Sequence, residues 1–166
     1  MGLRFEDLDE ITRRYMLEEI DHTVGRDDLF RCEEFTDDGW KKYPDLLRKA
    51  AQEGDEDFLG VILYHNDCFR FDSLRESYTT FAELVFNRFY IRALCRRVID
   101  EGKKLQVYMA KPIEETPETE VELGKFVNPE ELLFQLRDQE KRGTPVEIVM
   151  DIALDPNSGI TVRLVD

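Results

Sequence analysis

The sequence is short of the residues that most enzymes and metal proteins rely on. Its 166 residues include two histidines and three cysteines. His65 and Cys68 stand three apart, so on a helix they would share a face, as a nucleophile pair or half a zinc site requires. The other candidate ligands, His22, Cys32 and scattered carboxylates, have no recognisable spacing, so the pair reads as a core thiol beside an incidental histidine. Cys32, Cys68 and Cys95 form no CxxC and are odd in number, which excludes a closed disulfide framework and fits reduced thiols. GxGxxG, GxxxxGK[ST], HExxH and GxSxG are all absent. In DEDFLG, Asp55, Asp57 and Gly60 fall at EF-hand offsets, but Leu59 and Asn66 occupy ligand positions, which excludes a calcium loop. No cofactor and no metal are expected.

Long apolar runs are missing as well. A membrane span needs about 20 apolar residues, and candidates such as Phe58 to Tyr64 are interrupted by glycine or charge. The opening MGLRFEDLDE has no apolar core of a secretion signal, so the expected location is cytoplasmic, or within an assembled particle.

What the chain does contain is charge and aromatic bulk: 37 acids against 23 bases, a net charge of -14, 42% apolar residues and eleven Phe. A chain of this length can bury about 70% of its unfolded surface, and this apolar content places it outside the disordered class. A single domain, 1–166, with charge on its surface is expected.

Apolar spacing predicts a helix over about 6–24, closed by Gly25. Pro44 opens a short helix to Glu53, and Asp55 caps a third segment that reads as helix, with strand an alternative for 61–64. Thr80 and Glu83 spell a capping box before a helix over 81–101 that stops at Gly102. Residues 105–110 alternate as a strand. Glu114, Glu115, Glu118, Glu120 and Glu122 crowd beside Pro112 and Pro117, which predicts an acidic arm or loop over 112–125. Asn128 and Pro129 start a helix to about 141. Residues 146–154 favour strand over helix because β-branched residues dominate, and 160–165 form a closing strand. The expected class is α+β, helix-rich through the first two-thirds, with a small, mostly antiparallel late sheet over 105–110, 146–154 and 160–165.

The most informative stretch is FNRFYIRALCRRVIDEG, residues 86–102. Arg88, Arg92 and Arg96 recur every four residues and form one stripe, while Phe86, Phe89, Tyr90, Ala93 and Leu94 face the other way. A helix apolar over most of its circumference is central, so its arginines need partners. Guanidinium groups suit buried bidentate pairing with carboxylates. The first helix offers Glu6, Asp7, Asp9, Glu10, Glu18, Glu19 and Asp21, which makes it the expected partner. The competing expectation is a phosphate or an acidic neighbouring subunit.

Three strings, ITRRYMLEEID, FNRFYIRALCRRVIDEG and LQVYMAKP, together resemble a family of small uncharacterised bacterial and phage proteins in which an aromatic, arginine-bearing helix leads through a glycine into a VYxA strand. The resemblance covers about a quarter of the chain and implies phage or prophage association, with no activity attached. Met109 stands where that pattern carries arginine.

With these residues, the leading expectation is a non-enzymatic structural or interaction protein, a component of a multi-subunit assembly such as a phage-like particle. Its interaction candidates are Arg88, Arg92 and Arg96 and the arm residues Glu114, Glu115, Glu118, Glu120 and Glu122. The second is an acidic inhibitor or regulator that mimics nucleic-acid charge and binds a basic protein. The third is an enzyme with an unlisted site around the arginine stripe and Tyr90 or Tyr108. Expected partners are proteins or further copies of the chain. Direct nucleic-acid binding is disfavoured because the acidic background repels phosphates, and no small-molecule ligand is inferred.

Overall fold

The computed structural model describes residues 3–110, 123–142, 148–149, 152–153 and 159–166. The fold is α+β and helix-rich, with a small antiparallel sheet late in the chain. The elements are α1 (Glu10–Gly25), α2 (Asp37–Glu53), α3 (Glu56–His65), α4 (Arg75–Glu101), β1 (Lys104–Met109), β2 (Phe126–Val127), α5 (Pro129–Arg142), β3 (Ile148–Val149), β4 (Ile152–Ala153) and β5 (Ile160–Val165).

α4 is the axis of the molecule. It packs against α1, α3, α5, β1 and β5, and Phe86, Phe89, Tyr90, Ile91, Leu94 and Cys95 along it are fully buried. The sheet order is β2-β1-β5, antiparallel throughout, with Leu105 opposite both Val127 and Leu164. Residues 3–9 lie as a strap over this assembly. Phe5 packs on Phe86 and Tyr90, the Tyr90 hydroxyl accepts the Asp7 N–H at 2.9 Å, and Asp7 accepts the Leu164 N–H at 2.9 Å.

Several helix ends differ from the sequence reading, each for a local reason. α1 begins at Glu10 rather than 6 because the Asp9 carboxylate accepts the Thr12 N–H at 3.0 Å and so acts as N-cap. α2 starts at Asp37, with Thr36 capping the Gly39 N–H at 2.9 Å. Pro44 therefore lies inside a helix instead of opening one, and the Trp40 carbonyl loses its usual intrahelical donor. The buried positions Tyr43, Leu47, Ala50 and Ala51 continue the stripe across it, so packing offsets the proline. α4 starts at Arg75, six residues before the expected start, and Thr80 and Glu83 sit within it. Burial of Tyr78 drives the extension: its ring stacks on Phe69 at 4.2 Å and its hydroxyl accepts the Phe69 N–H at 3.0 Å. Gly102, at φ 69°, stops α4 in the left-handed conformation that glycine adopts freely.

Residues 61–64 are helical, within α3. The segment 146–154 is not one strand of the main sheet. Its described parts, β3 and β4, pair with each other, Val149 opposite Ile152, and Phe126–Val127 supplies the sheet's third strand. Only two residues separate Val149 from Ile152, so the chain folds on itself before it can extend. The five glutamates of the expected acidic arm, Glu114, Glu115, Glu118, Glu120 and Glu122, lie outside the described residues, whereas the end of that segment, 123–125, pairs with β1: the Gly124 N–H donates to the Val107 carbonyl and the Val107 N–H to the Lys125 carbonyl, each at 2.9 Å. No described helix is long and apolar enough to cross a membrane.

Candidate functional site

The arginines of α4 are held within the monomer. Arg92, 2% exposed, donates from Nε to Glu19 Oε1 at 2.9 Å and from Nη2 to Thr23 Oγ1 at 2.7 Å. Its guanidinium also lies 4.6 Å from the centre of the Phe89 ring. Arg96 reaches Glu19 Oε2 at 3.4 Å and Glu18 Oε1 at 3.2 Å. Arg88 turns to α5 instead of α1 and donates to Gln139 Oε1 at 3.1 Å. The expected pairing with α1 therefore describes Arg92 and Arg96, whereas Arg88 belongs to the α4–α5 contact. One residue further round α4, Arg97 grips Asp9 at 2.9 Å, Glu101 at 2.6 Å and Thr12 at 3.0 Å, which ties the α1 N-cap to the end of α4.

Glu19 is the hub. It is 1% exposed, and a third guanidinium, Arg137 of α5, binds it bidentately at 3.0 Å and 2.6 Å. Burial alone would raise its pKa, but the Arg137 hydrogen bonds and the Arg92 charge outweigh burial and hold Glu19 below the usual carboxylate range. Burial also lowers Arg92, against the attraction of Glu19. Deeper in, the buried Glu140 accepts the Phe30 N–H at 2.9 Å, and burial raises its pKa.

Sequence reasoning named Glu19 among seven acids of the expected first helix over 6–24 but missed Arg137, Glu140 and Thr23. A signal existed for the two carboxylates. Thr12, Tyr15, Met16, Glu19, Ile20 and Thr23 are the buried positions of α1, so Glu19 stands on the apolar stripe, as Glu140 does on α5 beside Leu133 and Leu136. A carboxylate at a core position needs a buried cation.

Beside the hub opens a cleft of about 220 Å³ between the end of α1 and α5, lined by His22, Thr23, Arg26, Arg92, Phe134, Arg137 and Lys141, with Asp28 and Asp138 at its walls. Phe134 is 71% exposed there. On another face, an apolar groove of about 400 Å³ is lined by Phe30, Phe69, Phe81 and Leu84. Leu74, 68% exposed, forms part of that groove, and Phe71, fully exposed, lines an adjoining cleft that shares Phe69 with it.

His65 and Cys68 do not share a helical face. Cys68 lies in the loop beyond α3 rather than on a helical face with His65, and burial raises it to about 11. Burial raises Cys95 further. Among the described residues no three potential ligands cluster for a metal. The chain matches no model of a known family, no curated protein and no solved structure.

Proposed function

We propose that the protein is a non-enzymatic interaction protein, a component of a multi-subunit assembly, that takes a basic, apolar-anchored segment of a protein partner into the groove beside Phe71 and Leu74. The observation that carries this reading is the exposure of Leu74 in an apolar groove and, completely, of Phe71 in the cleft that adjoins it through Phe69. Charge complementarity selects the partner. Glu34 and Glu76 line the groove without a basic residue, Asp67 and Arg70 line the adjoining cleft, and the whole chain carries -14. A second copy would bring the same charge, so a basic partner fits the rim better. The likeness of three sequence strings to small bacterial and phage proteins favours an assembly setting.

The test compares wild-type protein with Phe71→Asp and Leu74→Asp for the basic protein that co-purifies with it. Exposed changes of this kind stay within about 0.5 kcal/mol in stability, whereas loss of an interface anchor weakens binding by about tenfold or more. Retention of the partner by both Phe71→Asp and Leu74→Asp refutes the groove, and self-association through this face in sizing experiments refutes the choice of occupant. The charge-mimic reading, favoured by the net charge, differs in spreading its contacts over the acidic surface, so it expects salt sensitivity without dependence on Phe71.

A further inference from the structure

The cleft beside Glu19 has features the interaction reading does not use. Arg92 and Arg137 both line it, and both are oriented by the same carboxylate. Glu19 occupies Nε and Nη2 of Arg137 and, with Thr23, the same two nitrogens of Arg92. The Nη1 donor of each guanidinium has no hydrogen-bond partner among the described residues. Arg92 is 2% exposed as a residue, yet its Nη1 is not sealed from solvent and keeps access to the cleft that Arg92 lines.

The local charge is also unbalanced. Arg26, Arg92, Arg137 and Lys141 line the cleft against Asp28 and Asp138, while the buried carboxylates Glu19 and Glu140 both attract Arg92. At the cleft walls Arg26 is matched by Asp28 at 3.3 Å, and Asp138 by Arg142 at 3.0 Å, while Lys141 is exposed and makes no ion pair among the described residues. A chain with a net charge of -14 thus holds a locally cationic recess. The C-terminal ends of α1 and α5 lie here too, and their partial negative charge, about half a unit each, is met by His22, Lys141 and Arg142 in the last turns. That complement leaves the paired Nη1 donors of Arg92 and Arg137 unused.

We propose that this recess is an anion-binding site for a small molecule that carries a phosphate or carboxylate group on a planar apolar body. The acidic group meets Arg92, Arg137 and Lys141, and the planar body lies against Phe134. Guanidinium forks match both oxyanions in geometry, and Glu19 acts as the positioning carboxylate that fixes the forks before the ligand arrives. A cleft of about 220 Å³ is smaller than the roughly 300–1,000 Å³ of sites for drug-sized ligands, which limits the occupant to a small one. This site is independent of the groove at Phe71.

The test uses phenyl phosphate, benzoate and inorganic phosphate in calorimetric titrations and thermal melts, against sodium chloride at matched ionic strength. Phenyl phosphate or benzoate is expected to bind saturably and raise the melting temperature, and the stronger of the two identifies the acidic group. Lys141→Ala and Phe134→Ala, both at exposed positions, are expected to fold as wild type. Lys141→Ala should weaken both aromatic anions by about tenfold. Phe134→Ala should weaken them while leaving inorganic phosphate unchanged. Lys49→Ala, on α2 far along the chain, should change nothing. Absence of saturable binding, an equal shift with sodium chloride, or affinities unaltered by Lys141→Ala and Phe134→Ala together would each overturn the site. Phe71→Asp leaves the binding intact, so failure here is distinguishable from failure of the groove.

Discussion

Replacing Arg92 with methionine keeps most of the stem that packs along α4 and removes the guanidinium. The lost contacts are a charged hydrogen bond to Glu19 at 2.9 Å, another to Thr23 at 2.7 Å, and a cation–π contact with Phe89. Stripping one partner from a buried ion pair costs about 3–5 kcal/mol. Glu19, however, keeps Arg137 and Arg96, so about 2–3 kcal/mol is expected for Arg92→Met, or roughly 5–10 °C in Tm for a chain of this size. Glu19→Gln leaves Arg92 buried without a full counter-charge and should cost about 3–5 kcal/mol. The double variant Arg92→Met/Glu19→Leu should cost less than the sum, by about 1–3 kcal/mol of coupling. Urea unfolding followed through the single Trp40, half-buried between Phe35 and Tyr43, reads all three. Because the folded pKa of Glu19 is depressed, its stabilisation is present above the unfolded value and is lost as pH falls through the folded value. The Arg92→Met penalty should therefore shrink in acid. A variant within about 0.5 kcal/mol of wild type at neutral pH refutes the hub.

Glu56 behaves in the opposite sense. It is buried, one oxygen accepts the Leu3 N–H at 2.7 Å, and Oε2 has no hydrogen-bond partner. Burial raises its pKa from 4.5 to about 7. The fold therefore loses stability as pH rises from 4.5 to about 7, and Glu56→Gln should stabilise by about 2 kcal/mol above pH 7 and by nothing in acid. A pH-independent difference in denaturation midpoints contradicts this. At Gly39 a Cβ would lie 2.0 Å from the Cys68 carbonyl oxygen, backbone that the Thr36 N–H fixes at 3.0 Å. Gly39→Ala should cost about 3 kcal/mol, while Gly25→Ala, in open space at the end of α1, should gain about 0.5 kcal/mol. Equal melts for these two variants would remove the packing argument.

How legible each feature was depended on the range of the interactions that decide it. The helical phase of α4, its stop at Gly102, the strand that follows and the Asn128 cap of α5 rest on neighbours within about one turn, and the sequence spells them. The starts of α2 and α4 were misplaced because burial across the fold overrode local punctuation: the Tyr78 contact with Phe69 extends one helix past a capping box, and a buried stripe carries the other through Pro44. The separate β3–β4 pairing was missed for a similar reason, since alternation specifies strand but not partner.

The sequence by itself determined that a cationic stripe on an apolar helix must be neutralised, and that acids on α1 were the available counter-charge, because helical periodicity and desolvation are properties of residue type and spacing. Only the tertiary structure decided that one carboxylate, Glu19, serves Arg92, Arg96 and Arg137 at once, that Arg88 turns to α5, and that a cleft lies beside them. Those outcomes depend on how α1, α4 and α5 cross, which is set by side chains 51 to 118 residues apart in sequence.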